Sequence, residues 1–162
     1  MKHRAILAAV TAIVFAAAVA GSGGATSTAV PRTVTAGVAL KAIGDSGVRG
    51  LAYFEQRRLT LKYQIVVFGL PPSTAHAAHI HGPQGACTPT SANRGVAVPF
   101  PDLKADANGV AYMSGTISLR QAPNKQVLRK GFYFNVHRYS TPELASKGLA
   151  AITCGNIRPV LR

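Results

Sequence analysis

The run Leu59-Thr60-Leu61-Lys62-Tyr63-Gln64-Ile65-Val66-Val67 alternates apolar and polar side chains with a period of two. Successive strand residues point to opposite faces, so the run predicts a strand with one face in a core and one in water. Shorter runs repeat the signal. Val34–Leu40 and Arg49–Gln56 read as strands around a Gly44-Asp45-Ser46-Gly47 turn. Asp106-Ala107-Asn108-Gly109 predicts a second turn, leading into Val110–Leu119, where Ala111, Met113, Ile117 and Leu119 share a face. Gly131–His137 sets Phe132, Phe134 and Val136 against Tyr133, Asn135 and His137, and Leu149–Ile157 ends the pattern with Ile152 and Cys154 on one side. One helical turn fits Thr141-Pro142-Glu143-Leu144-Ala145, with Thr141 as the cap and Pro142 at the first helical position. Short strands with frequent turns predict an all-β chain, a Greek-key β-barrel or sandwich of about eight antiparallel strands.

The first segment stands apart from this pattern. Met1-Lys2-His3-Arg4 is a basic head, Ala5 to Ala20 carries no charge, and Ala18-Val19-Ala20 places small residues at the cleavage positions. These are the three parts of a secretory signal peptide, and the apolar run is short for a membrane span of roughly 20 residues. The expected organisation is a signal peptide over 1–20, a flexible Gly/Ser/Thr-rich leader over 21–33 and one domain over 34–162, with no transmembrane segment in the mature chain. The implied location is secreted or periplasmic. In such an oxidising compartment Cys87 and Cys154 are expected to pair, the alternative being two buried thiols.

Composition narrows the chemistry. Lys plus Arg number 18 against 5 Asp plus Glu, a formal charge of +13, of which Lys2 and Arg4 leave with the signal peptide. So few carboxylates leave little material for a carboxylate-pair enzyme or a calcium cage. Nucleophile signatures and phosphate-binding glycine loops are missing, and Gly82-Pro83-Gln84-Gly85 reads as a turn. The basic residues are scattered, without a nucleic-acid-binding motif, so nucleic acid is not an expected partner. Anionic polymers of the cell envelope are the partners such a charge would attract.

The histidines are the distinctive feature. His76, His79, His81 and His137 are the four beyond the signal peptide, three of them within Ala75–Gly82. If residues 78–81 are extended, His79 and His81 project from one face while Ile80 enters the core. His137 lies opposite Phe132, Phe134 and Val136, so it also points away from the core. A single His-x-His on a strand is more often a surface feature than a ligand pair. Three imidazoles on neighbouring strands make a three-nitrogen site, suited to copper, zinc or nickel. His76 is a weaker candidate for a fourth ligand, available if residues 75–78 bulge.

Several ordered segments resemble the copper/zinc superoxide dismutases over roughly Val34–Pro159. They are Val38-Ala39-Leu40-Lys41 with Gly47-Val48-Arg49-Gly50, Phe68-Gly69-Leu70 before His76-Ala77-Ala78-His79-Ile80-His81, Gly85-Ala86-Cys87, Asp102–Ala111, Phe134-Asn135-Val136-His137 and Ile152-Thr153-Cys154-Gly155. The resemblance implies the dismutase β-barrel, copper on His79, His81 and His137, and a Cys87–Cys154 disulfide. It implies copper-dependent dismutation of superoxide to oxygen and hydrogen peroxide. Two parts of that family's site are missing. No His lies between His81 and His137 to bridge copper to zinc, so zinc is not expected, and Asp102, at the place of the zinc carboxylate, reads as structural. Ala151 stands where the family has its substrate-holding Arg. Ala78-His79-Ile80-His81-Gly82 and Phe134–His137 also resemble the CHRD domain, an extracellular β module. The Cys-Gly ending places the dismutase resemblance first. The alternatives are a non-catalytic extracytoplasmic copper-binding protein and a CHRD-like structural module.

Overall fold

The computed structural model describes residues 32–83, 85–88 and 95–161. The expected signal peptide and nearly all of the leader lie outside the described residues, as does Gln84 of the expected turn. In chain order the elements are β1 (Thr33–Ala42), β2 (Arg49–Arg57), β3 (Thr60–Phe68), β4 (Ala75–His76), β5 (Ala78–His81), β6 (Val96–Pro99), β7 (Leu103–Lys104), β8 (Val110–Ser118), β9 (Tyr133–His137), α1 (Thr141–Lys147), β10 (Ala151–Asn156) and β11 (Arg158–Leu161).

β1 joins two layers. It pairs with β2 over Thr33–Leu40, while on its other edge Val34–Gly37 pairs with β11 and Lys41–Ala42 pairs with β10. The strand path β6-β5-β9-β10-β1-β2-β3-β8 therefore forms a curled antiparallel sheet whose two halves face each other, and β4 and β7 make a separate small ladder. Late in the chain, β9 inserts between β5 and β10.

The period-two signal holds where it was strongest. In β3, Leu61, Tyr63, Ile65 and Val67 are buried and Lys62 and Gln64 are exposed. Ala36, Val38 and Leu40 from β1 and Ala52 and Phe54 from β2 extend that buried face. Ile80, Phe134, Val136 and Ile152 face them from the other half and join the same core cluster. Across the gap the Phe54 ring meets Phe134 at 5.4 Å, and Phe100 meets Phe134 at 5.4 Å and Tyr63 at 5.0 Å, in tilted or edge-on contacts. Burial of each such ring contributes about 1.5–3 kcal/mol, with edge-to-face geometry adding to it.

Three local expectations are corrected. Ile152 and Cys154 do not share a side: β10 bulges between Ala151 and Thr153 against β9, so Ile152 enters the core while Cys154 lies across from Asn135 on the opposite face. An inserted residue inverts the alternation beyond it. The helix cap is Ser140 rather than Thr141, and Glu143 Oε2 accepts bonds from both the Ser140 amide and hydroxyl. The Glu143 carboxylate thereby reaches back to the cap residue, and Thr141 and Pro142 follow inside the helix. Finally, β11 follows Ile157 as a separate strand, unmarked in the sequence because Pro159 interrupts so short a run.

The predicted Asp106–Gly109 turn is present, with Asp106 Oδ1 accepting from the amides of Asn108 and Val110. Cys87 and Cys154 form a disulfide with Cα atoms 5.5 Å apart, tying the segment after β5 to β10. Gly155, next to it, lets β10 approach β1: a Cβ there would stand 2.4 Å from the Ala39 carbonyl oxygen.

Two stability measurements follow. Phe54→Ala empties the centre of the aromatic cluster and should lower the unfolding free energy by about 3–5 kcal/mol in urea titration. A Cys87→Ser/Cys154→Ser double variant should lose about 4 kcal/mol, the chain-entropy value for a bridge spanning 67 residues. An unchanged midpoint in either case would contradict the role assigned to that contact.

Candidate metal centre

The histidines reach one place because of strand register. β5 pairs with β9 so that Ile80 faces Phe134, His79 faces Asn135 and His81 faces Tyr133. Ile80 and Phe134 turn into the core, which sends His79, His81, Tyr133, Asn135 and His137 to the other face. There the sequence pattern and the structure part company. Alternation places these residues away from the core, yet all five residues of β9 are buried, and His79, His81 and His137 are only 7%, 1% and 1% exposed. The segment after β9 covers this second face: the Ala77 amide bonds the Tyr139 carbonyl, and the Arg138 amide bonds the Ala150 carbonyl.

His79, His81 and His137 each offer a ring nitrogen within 4.8 Å of the others. Metal–imidazole bonds of about 2.0–2.1 Å place two ligand nitrogens at most about 4 Å apart, so a shift of roughly 1 Å closes the group on one ion. The ring orientations suit it. His137 Nδ1 lies 3.0 Å from the Leu149 carbonyl, which can only accept, so this nitrogen carries the proton and Nε2 turns into the group. His137 Nε2 is 3.1 Å from His79 Nδ1. A backbone carbonyl holding the far nitrogen of an imidazole is the usual support of a metal-ligating histidine. The His81 ring stacks on Tyr133 at 5.2 Å and 9°.

Burial sets the protonation state. Desolvation first, then the neighbouring His137 and His81 rings, lower the His79 pKa to about 4, against a small opposing effect of Asp102. Desolvation also lowers that of His137, partly offset by the Leu149 carbonyl. Both rings are therefore neutral near pH 7, the form that binds metal.

His76 stays outside the group. It is buried, with Nδ1 3.0 Å from the His137 carbonyl and Nε2 2.7 Å from the Thr74 hydroxyl. Both nitrogens are engaged, so His76 braces the β9 backbone at His137. Asp102 accepts bonds from the Thr141 amide and hydroxyl, fastening the start of α1. That is the structural role its lone carboxylate suggested. Ala151 is buried across from His137, and the Arg138 side chain is exposed. Two contributors escaped sequence reasoning. The Leu149 carbonyl is a backbone group and leaves no mark in a sequence. Asn135 was visible on the histidine face, but its burial was not.

The family model of the CHRD domain matches residues 22–145. The chain belongs to the CHRD domain family. The match spans β1 to α1 and includes His79, His81, His137 and Cys87, and ends before β10 and its Cys154-Gly155 pair. Among curated proteins nothing matches the chain. Family membership thus falls to the resemblance that the Cys-Gly ending had placed second. Among the described residues no helix is long and apolar enough to cross a membrane.

The pKa shifts carry a sign. Unfolding frees His79 to protonate near the ordinary imidazole value of 6.5, while the folded ring resists protonation down to about 4. The unfolded state therefore binds more protons in that window, and metal-free stability falls as pH drops from 6.5 to 4. Melting temperatures at pH 7.5, 6.0 and 4.5 should decline in that order, and the decline should shrink in His79→Gln. A flat profile would contradict neutral burial of these rings.

Proposed function

We propose that the chain is an extracytoplasmic metal-binding module of the CHRD family, in which His79, His81 and His137 hold one copper ion without catalysis. The observation that carries this reading is the buried three-histidine group itself. The Leu149 carbonyl holds the His137 ring, the His81 ring stacks on Tyr133, and burial keeps His79 and His137 neutral. Copper stands ahead of zinc because nitrogen sites bind Cu²⁺ more tightly than Zn²⁺. Placement outside the cytoplasm is supported by the disulfide, which persists in oxidising compartments. The excess of Lys and Arg that remains once Lys2 and Arg4 have left fits attraction to anionic envelope polymers.

A second reading, dismutation of superoxide, has one observation in its favour: the Cys87–Cys154 bridge forms beside the histidines, as the dismutase resemblance implied. Copper in such a site supplies one-electron chemistry toward superoxide. Ala151 leaves no arginine at the place where that family holds the anion, so the binding reading stands first.

Copper content of the purified protein, measured after a chelator wash, separates these readings. One copper per chain is expected, with at least 100-fold weaker affinity in His81→Ala and His137→Ala, and displacement of zinc by copper. The copper-loaded protein should dismutate superoxide no faster than the chelated background. A fast rate lost in both variants would replace the binding reading with the enzyme, and no retained copper would overturn both.

A further inference from the structure

Two carboxamide side chains are buried among the described residues, and they are treated very differently. Gln56 is fully engaged. Its Nε2 donates to the carbonyls of Arg58 and Lys125, and its Oε1 accepts from the amides of Val127 and Leu128. Asn135 is 0% exposed, and neither its Oδ1 nor its Nδ2 has a hydrogen-bond partner. A buried polar group left without a partner has lost its hydrogen bonds to water and gained none in return, which destabilises the fold. A leucine of similar size would fill this position without that cost, so packing does not explain the amide.

Its position does. Asn135 lies directly across from His79 on β5 and from Cys154 on β10, and Tyr133 and His137 flank it two residues away on the same face. The Cys154 sulfur is held in the disulfide. The carboxamide thus shares the face of the three-histidine group, where three protein nitrogens leave a coordination position for a ligand from solution. Such a ligand on a cation is an oxygen donor or small anion and presents lone pairs. The Asn Nδ2 group supplies N–H donors, and its Oδ1 accepts from a ligand that keeps a proton.

We infer that the Asn135 carboxamide hydrogen-bonds the non-protein ligand, a water, hydroxide or small inorganic anion, that completes the coordination of the metal held by His79, His81 and His137. The inference rests on the three-histidine reading above and makes Asn135 a positioning residue for ligand exchange. It explains why the fold keeps an unsatisfied amide there: the partner arrives with the metal.

The test uses Cu²⁺ as the metal and azide as the anion. Copper content is measured first, in the wild-type protein, Asn135→Leu and the near-isosteric Asn135→Asp. Azide is then titrated into each copper form, followed by its charge-transfer absorption and the copper electron paramagnetic resonance spectrum. All three proteins should hold one copper. Azide should bind about tenfold more weakly to Asn135→Leu, the loss of one hydrogen bond to a charged group. It should bind more weakly still to Asn135→Asp, which removes the donor and adds a negative charge. Metal-free Asn135→Leu should melt above the wild type, because an unpaired amide has gone. Should Asn135→Leu fail to fold, Asn135→Asp carries the comparison. One copper with azide affinity within twofold of wild type would overturn this inference alone. A wild-type protein without copper would overturn it together with the metal-binding reading.

Discussion

The register between β5 and β9 is the constraint on which the rest depends. Ile80 opposite Phe134 and His79 opposite Asn135 are one fact seen from two faces. A slip of one residue would carry the imidazoles into the core and the apolar pair out of it. What forbids the slip is the aromatic cluster of Phe54, Phe100 and Phe134, a large apolar area with specific ring contacts. The three-histidine group is therefore positioned by core residues packed on the opposite face of these strands. Changes in the core should be felt at the histidines through strand placement before they are felt through chemistry.

The second face of β9 is costly to bury, and the chain covers it with several local devices. Asp102 fastens the start of α1, Leu149 returns to meet His137, His76 braces the backbone beside it, and the disulfide holds the loop after β5 against β10. Gly85 lies so close to Tyr133 that a Cβ would stand 2.5 Å from the ring. These contacts exclude water from three imidazoles and hold two of them neutral. The same exclusion keeps protons off these rings near pH 7, and an unprotonated imidazole is the form that a metal ion needs.

Fold and chemistry separate in this protein. The CHRD family model matches residues 22–145, whereas the proposed function rests on a site that any β-scaffold could carry. The dismutase resemblance and the CHRD match share the same histidine segments. What separates this chain from the dismutase resemblance lies at Ala151 and in the missing fourth histidine, rather than in the shared histidine segments.

Much was legible in the sequence because a strand has a period of two and solvent lies on one side of it. The run at 131–137 and an extended 78–81 specified which residues share a face, and hence that His79, His81 and His137 are free of the core. The two cysteines and the expected signal peptide were enough to expect their bridge. The bulge in β10 was not legible, since one extra residue alters no composition yet inverts the face of Cys154 relative to Ile152. Nor was the choice among histidines: His76 and His79 are the same residue type three positions apart. Only the placement of the Thr74 hydroxyl and the His137 carbonyl engages one, and the crossing of β5 by β9 gathers the other. The sequence by itself determined the sidedness of each strand, a local property of backbone geometry. Tertiary structure alone decided that the histidine face is buried, because burial depends on what distant segments fold over it, and with that burial came the neutral imidazoles and the unpartnered amide of Asn135.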